Sequence, residues 1–134
     1  MDVEETAVKG TRFLEFTIQV NASPYAGAAA EHAYRFAQAA LARGHKVRRV
    51  FFYGEGVYHA LKVSPPADEF NLVARWSQLA MSYGVDLVIC SAAAQRRGVW
   101  EPQTQDELIP GFRIAGLALL VESVLETDRL LVFG

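Results

Sequence analysis

The stretch Val85-Asp86-Leu87-Val88-Ile89-Cys90-Ser91-Ala92-Ala93-Ala94-Gln95-Arg96-Arg97-Gly98 sets the architecture. Val85 to Ile89 is a short apolar run rich in β-branched residues. It reads as a strand buried on both faces. Cys90 closes that strand. Ser91 to Gly98 then turns small and polar, as a turn or a short helix does. A buried strand feeding directly into a turn is the core of a βα unit.

The chain before this stretch repeats the same alternation. Asp68 to Tyr83 reads as a helix, with Phe70, Val73, Trp76, Ala80 and Tyr83 on one face and Leu72 and Leu79 widening it. Asp68 is placed to cap or charge its start, and Gly84 stops it. Ser64-Pro65-Pro66 forces an extended stretch ahead of it. Val57 to Leu61 is expected as a short helix after the turn Gly54-Glu55-Gly56. Lys46 to Tyr53 reads as a strand with a continuous apolar end. Ala26 to Arg43 reads as a helix, with Ala30, Ala33, Tyr34, Ala37 and Leu41 at helical spacing and Gly44 as its cap. Phe13 to Val20 is the first strand, in which Phe16, Ile18 and Val20 alternate with Glu15, Thr17 and Gln19. Asn21-Ala22-Ser23-Pro24 ends it with turn chemistry.

After Gly98, residues 99 to 111 read as a polar loop with two prolines. Gly116 to Thr127 reads as a helix and Leu130 to Phe133 as a last strand. Strands alternating with helices predict right-handed crossovers and one α/β domain over 13–134. Its sheet is mostly parallel, with helices on both faces, in the flavodoxin-like manner. Residues 1 to 12 lack apolar periodicity and are expected to be a flexible leader.

Composition narrows the function. The 134 residues are 51% hydrophobic, enough for a packed core, and the net charge is −2. That balance lacks the basic excess of a nucleic-acid binder. No apolar run approaches a membrane span, and Asp2, Glu4 and Glu5 do not suit a secretory signal, so the cytoplasm is the expected compartment. One cysteine can form neither an intrachain disulfide nor a zinc site alone. Gly54-Glu55-Gly56 lacks the rest of a dinucleotide fingerprint and no phosphate loop is present. No cofactor and no metal is expected.

In open parallel sheets, functional groups gather beyond the carboxyl ends of the strands. Cys90 stands at such an end, and so do the turns Asn21–Tyr25 and Tyr53–Gly56. A thiolate is the reactive form of cysteine, and nearby arginine lowers its pKa. Ser91, Gln95, Arg96 and Arg97 follow Cys90 and are expected to support it, with the small residues leaving backbone N–H groups open. The competing reading is plain: a cysteine ending an apolar strand is commonly core, and the arginines a solvated face. His32, His45 and His59 have no partners at ligand spacing and are expected on the surface or in packing. Tyr53, Tyr58 and Trp76 are expected in the core or a subunit interface.

Several stretches together resemble the DsrE/TusD sulfur-relay family, most closely its TusD branch. They are Phe51-Phe-Tyr-Gly-Glu-Gly-Val-Tyr58, Ser64-Pro65 followed by Asp68-Glu-Phe70, Leu72-Val73 and Trp76, then Cys90-Ser-Ala-Ala-Ala-Gln-Arg-Arg-Gly-Val99, Gly111-Phe112 and Gly116-Leu117. The likeness runs from about Phe16 to Phe133. It implies a sulfurtransferase subunit that accepts sulfur as a persulfide on Cys90 and passes it to an acceptor thiol, with Arg96 and Arg97 matching the basic pair after the family's cysteine. It further implies a heterohexamer with TusB-like and TusC-like subunits, a TusA-like donor, a TusE-like acceptor, and an end product in 2-thiolation of the tRNA wobble uridine. Dissimilatory sulfur oxidation, a scaffold role and a small-ligand module are the alternatives. The stretch from Trp100 to Pro110 is shorter than the family pattern, which bears on acceptor docking, and the leader extends beyond the usual start.

Overall fold

The alternating segment near the start forms strand β1, Glu15–Val20. In the computed structural model, which describes residues 12–61, 71–99 and 108–134, it is followed by helix α1 (Ala29–Ala42), β2 (Lys46–Phe52) and a 3-10 helix (Gly54–Ala60). Then come α2 (Leu72–Tyr83), β3 (Asp86–Cys90), a short α3 (Ser91–Arg96), β4 (Phe112–Ala115), α4 (Leu117–Glu126) and β5 (Arg129–Phe133). The five strands form one sheet in the order β4-β3-β2-β1-β5, and every pairing is parallel.

That order fixes the layers. From β1 to β4 the chain steps one way along the sheet, so right-handed crossovers place α1, the 3-10 helix, α2 and α3 on one face. The return from β4 to the far edge at β5 places α4 on the other. Side chains confirm the assignment. On the α1/α2 face, Phe52 packs edge-on to Trp76 at 5.4 Å between ring centroids, and Trp76 packs on Tyr34 at 5.3 Å. On the α4 face, the Thr17 hydroxyl donates to the Ser123 carbonyl at 3.2 Å. Thr17 looks like a solvent-side residue in the alternation, yet it is fully buried because α4 covers it.

Helix α1 approaches the sheet closely because its buried stripe is alanine: Ala30, Ala33, Ala37 and Ala40. The register of β1 on β2 shifts between Phe16 and Thr17, leaving Arg48 unmatched. Arg48 uses the bulge to reach Glu15 at 2.9 Å and Glu126 at 2.6 Å.

Three expectations are corrected, and one strand stands where none was expected. Helix α1 begins at Ala29 rather than Ala26, because Gly27 lies at φ 74 in the preceding turn. Helix α2 begins at Leu72 rather than Asp68. Its cap is Asn71, whose side chain accepts from the Ala74 N–H at 3.1 Å; Asp68 lies outside the described residues. Phe112–Ala115 forms an edge strand that four residues with an exposed Arg113 do not announce. The end of the expected polar loop is not simply loop either. Leu108 is buried and bridges Leu61, and the Ile109 N–H donates to the Ala60 carbonyl at 2.8 Å. The leader to residue 11, the Ser64-Pro65-Pro66 stretch and the loop from Trp100 to 107 lie outside the described residues.

Candidate functional site

The parallel sheet brings the carboxyl ends of β1, β2 and β3 to one rim. Their loops are tied together by backbone hydrogen bonds. The Tyr53 N–H donates to the Val20 carbonyl at 2.9 Å, and the Gly56 N–H donates to the Tyr53 carbonyl at 2.8 Å. Gly56 sits so close to β1 that an added methyl would stand nearer than 3.0 Å to the Val20 carbonyl oxygen. Only glycine lets the 3-10 helix seal the end of β1 there.

His59 fastens the next loop. Its Nε2 lies 3.0 Å from the Ala22 carbonyl, its ring packs on Phe52 at 5.0 Å, and it is fully buried. An N–H on Nε2 donates to that carbonyl, which leaves Nδ1 as a bare lone pair. Burial pushes its pKa down to about 4, against a smaller opposing pull from the Ala22 carbonyl, so the ring is neutral. Nδ1 and the nearby Trp76 Nε1 are buried, with no hydrogen-bond partner among the described residues. The sequence pattern marked His59 for the surface or for packing; packing is what it does. His32 is exposed on α1. His45 accepts from the Leu14 N–H at 3.0 Å through Nδ1, at the opposite end of the sheet from the rim. Among the described residues, no group of three or more His, Cys, Asp or Glu side chains could hold a metal ion.

Cys90 is the last residue of β3 and the N-cap of α3, with φ −70 and ψ 122. It is completely buried. By strand alternation its side chain shares the α4 face with Asp86, whose carboxylate on that face accepts from Arg49 at 2.6 Å and from Arg113 at 2.8 Å. Burial works against the Asp86 charge, but the hydrogen bonds from Arg113 and Arg49 outweigh it and hold its pKa below the usual range.

The expected supporting residues divide. Ser91 follows Cys90 and is half-buried; Gln95 and Arg96 are exposed on the outer turn of α3. Arg97 folds back, donating from Nη1 to the Ala93 carbonyl at 3.3 Å. Its Nη2 would lie 3.9 Å from a Cβ built at Gly54, so the guanidinium stands near the turn after β2. Among the described residues no hydrogen bond joins either guanidinium to Cys90. The rim therefore holds a buried thiol, a guanidinium across the neighbouring turn, and two tightly tied loops. The helix after the thiol is only six residues long, so its dipole adds little.

The outer surface of α4 and β5 carries a second feature. Leu117, Val121, Val124 and Leu125 on α4, with Leu130 and Val132 on β5, are exposed large apolar side chains, Leu125 to 80%. Contiguous apolar surface of this kind marks an interaction face. Among the described residues, no helix is long and apolar enough to cross a membrane.

Residues 15–133 match the model of the DsrE/DsrF-like family. The chain is 43% identical to the DsrE protein of Allochromatium vinosum over 129 residues, covering 90% of this chain and 99% of that one. It is 44% identical to the sulfurtransferase TusD of Serratia proteamaculans over 128 residues, covering 90% of this chain and 99% of that one. Among solved structures, the ychN protein of E. coli superposes with a TM-score of 0.77 at 22% identity, covering 90% of this chain and 100% of that one. That last likeness concerns the fold.

Proposed function

The chain belongs to the DsrE/DsrF-like family, and from that premise we propose that it is a cytoplasmic sulfurtransferase of a sulfur relay, with Cys90 as the sulfur-carrying residue. The observation that carries the reading is the position of the only cysteine: it ends β3 at the carboxyl rim of a parallel sheet, where such folds keep their reactive groups.

The chemistry is thiol exchange through sulfur. The Cys90 thiolate attacks the outer sulfur of a donor persulfide. A bond forms between Sγ and that sulfur as the donor's S–S bond breaks, and the donor leaves as a thiolate. An acceptor thiolate then attacks the outer sulfur and Cys90 leaves in turn. Neither transfer needs an oxidant or a reductant. Complete burial of Cys90 adds a condition: the rim opens, or a docked partner opens it, before sulfur moves. Arg97 stands between α3 and the Gly54 turn, Ser91 follows the thiol directly, and the exposed Gln95 and Arg96 present a polar and a positively charged group to an arriving partner.

The exposed apolar face of α4 and β5 supports membership of a complex, with companion TusB-like and TusC-like subunits in a heterohexamer, a TusA-like donor and a TusE-like acceptor. The destination we favour is 2-thiolation of the tRNA wobble uridine, resting on the TusD relative. The DsrE relative, at almost the same identity, favours a second destination in dissimilatory sulfur oxidation. Deleting the gene decides between them. Loss of 2-thiouridine from bulk tRNA, restored by the wild-type chain and not by Cys90→Ser, is the expected result. Intact 2-thiouridine with impaired sulfur oxidation would transfer the reading to the second destination.

A further inference from the structure

Strands β2 and β3 run parallel with Arg49 opposite Asp86 and Phe52 opposite Ile89. Arg49 and Asp86 meet side chain to side chain at 2.6 Å, which shows that residues paired in this register share a face and touch. Four residues further along both strands the same register sets Tyr53 beside Cys90. Tyr53 keeps the strand going: its backbone is extended at φ −123 and ψ 161, and its N–H still donates to β1 through the Val20 carbonyl. Adjacent strands lie about 4.8 Å apart and their side chains rise from the sheet in parallel. A phenol is several bonds longer than a CH2–S arm. Its hydroxyl can therefore reach the level that a second sulfur on Sγ would occupy.

Three further observations fit. Tyr53 is only half-buried while Cys90 is completely buried, so the tyrosine reaches solvent where the thiol does not. Its ring packs against the core, yet its hydroxyl makes no hydrogen bond among the described residues. Arg97 stands across the adjoining Gly54 turn, its Nη2 3.9 Å from a Cβ placed on Gly54.

We infer that Tyr53 is a second catalytic residue of the sulfur-transfer site, its hydroxyl donating a hydrogen bond to the outer sulfur of a persulfide carried on Cys90. The inference rests on the assignment of sulfur to Cys90. In outward transfer, the acceptor thiolate forms a bond to the outer sulfur while the Sγ–outer sulfur bond breaks and Sγ takes the electron pair. A hydrogen bond from the phenol draws charge off the outer sulfur, which makes it a better electrophile, and it stabilises that sulfur when it is ionised. The phenol keeps its proton throughout.

The test compares the full-length wild type, Tyr53→Phe and Cys90→Ser. Unloaded protein is alkylated with iodoacetamide. Protein loaded by a low-molecular-weight persulfide is mixed with a small thiol, and outer-sulfur release is followed across pH. In Tyr53→Phe, alkylation is expected to match the wild type, while release falls by about fivefold, the equivalent of one lost neutral hydrogen bond. The limb of the pH profile that reports ionisation of the outer sulfur moves to higher pH. Incorporating 3-fluorotyrosine at position 53 keeps the shape and strengthens the donor, so it shifts rate and limb in the opposite direction. It also serves if the phenylalanine variant folds poorly. Unchanged release and an unmoved limb overturn the inference, as do alkylation and release falling together, which mark a packing role. Loading that persists in Cys90→Ser, or a wild type that takes up no sulfur, overturns the Cys90 assignment instead, and is read independently of Tyr53.

Discussion

Gly56 is where the rim of the sheet leaves least room. A methyl group at that position would be forced into the Val20 carbonyl oxygen, with the Val20 carbonyl carbon close behind it. Neither neighbour is the tip of a flexible side chain. Val20 is fully buried in β1, and its carbonyl already accepts the Tyr53 N–H at 2.9 Å. Relief requires β1 and the 3-10 helix to part, with strain on the Tyr53 to Val20 bond. Overpacking against backbone costs about 3 kcal/mol. For a chain of this size that converts to a melting temperature lower by about 10 °C. The control is Gly116→Ala, at φ −84 with nothing within 4 Å of the new methyl; it should alter stability by less than about 1 kcal/mol. Thermal unfolding by circular dichroism reads both. A Gly56→Ala protein that melts alongside the Gly116→Ala control would refute the account of how the rim is closed.

Two further perturbations follow from charges inside the fold. His59 is held neutral with a pKa of about 4; the unfolded chain, with a histidine near 6.5, binds the proton more readily. Stability from this residue is therefore present above pH 6.5 and is lost as pH falls toward 4, about 2 kcal/mol of it by pH 5. Denaturant titrations should show that loss in the parent and a flatter profile in His59→Gln, and equal slopes would count against it. Asp86 has the opposite chemistry: its depressed pKa stabilises the fold above the ordinary carboxylate value, and the contribution disappears as pH falls through the folded value. Asp86→Asn leaves Arg49, only 13% exposed, without its anion. A loss of about 2 kcal/mol at pH 7 is expected, narrowing below about pH 4; an unchanged denaturation midpoint at pH 7 would contradict it.

The sequence made the fold legible because its strands either alternate, as β1 does, or end in continuous apolar runs, and its helices follow the 3.6-residue period. Val50 to Tyr53 and Val85 to Cys90 read as covered strands, and α1 and α4 read from their spacing and glycine boundaries. Strand β4 escaped because four residues with an exposed arginine carry no periodicity, and the parallel ladder to β3 alone makes Phe112–Ala115 a strand. Asn71 escaped because Asp68 offered an equally good cap three residues earlier. At the site, Cys90 was legible from its uniqueness and its place at a strand end. Its complete burial was not, since a strand end does not state what packs over it. The alignment of Tyr53 with Cys90 was likewise hidden. It depends on the register between strands separated by a helix, which no local pattern states. Arg96 and Arg97 look alike in sequence and both are exposed, yet Arg97 turns back to donate to the Ala93 carbonyl.

The central claim is that Cys90 carries sulfur. It is tested most directly by intact mass of the full chain after incubation with a persulfide donor, with and without a reducing wash, for the wild type and for Cys90→Ser. The account predicts a gain of one sulfur atom in the wild type, removed by the reductant and absent from the serine variant. A variant that takes up the same reducible sulfur would contradict it.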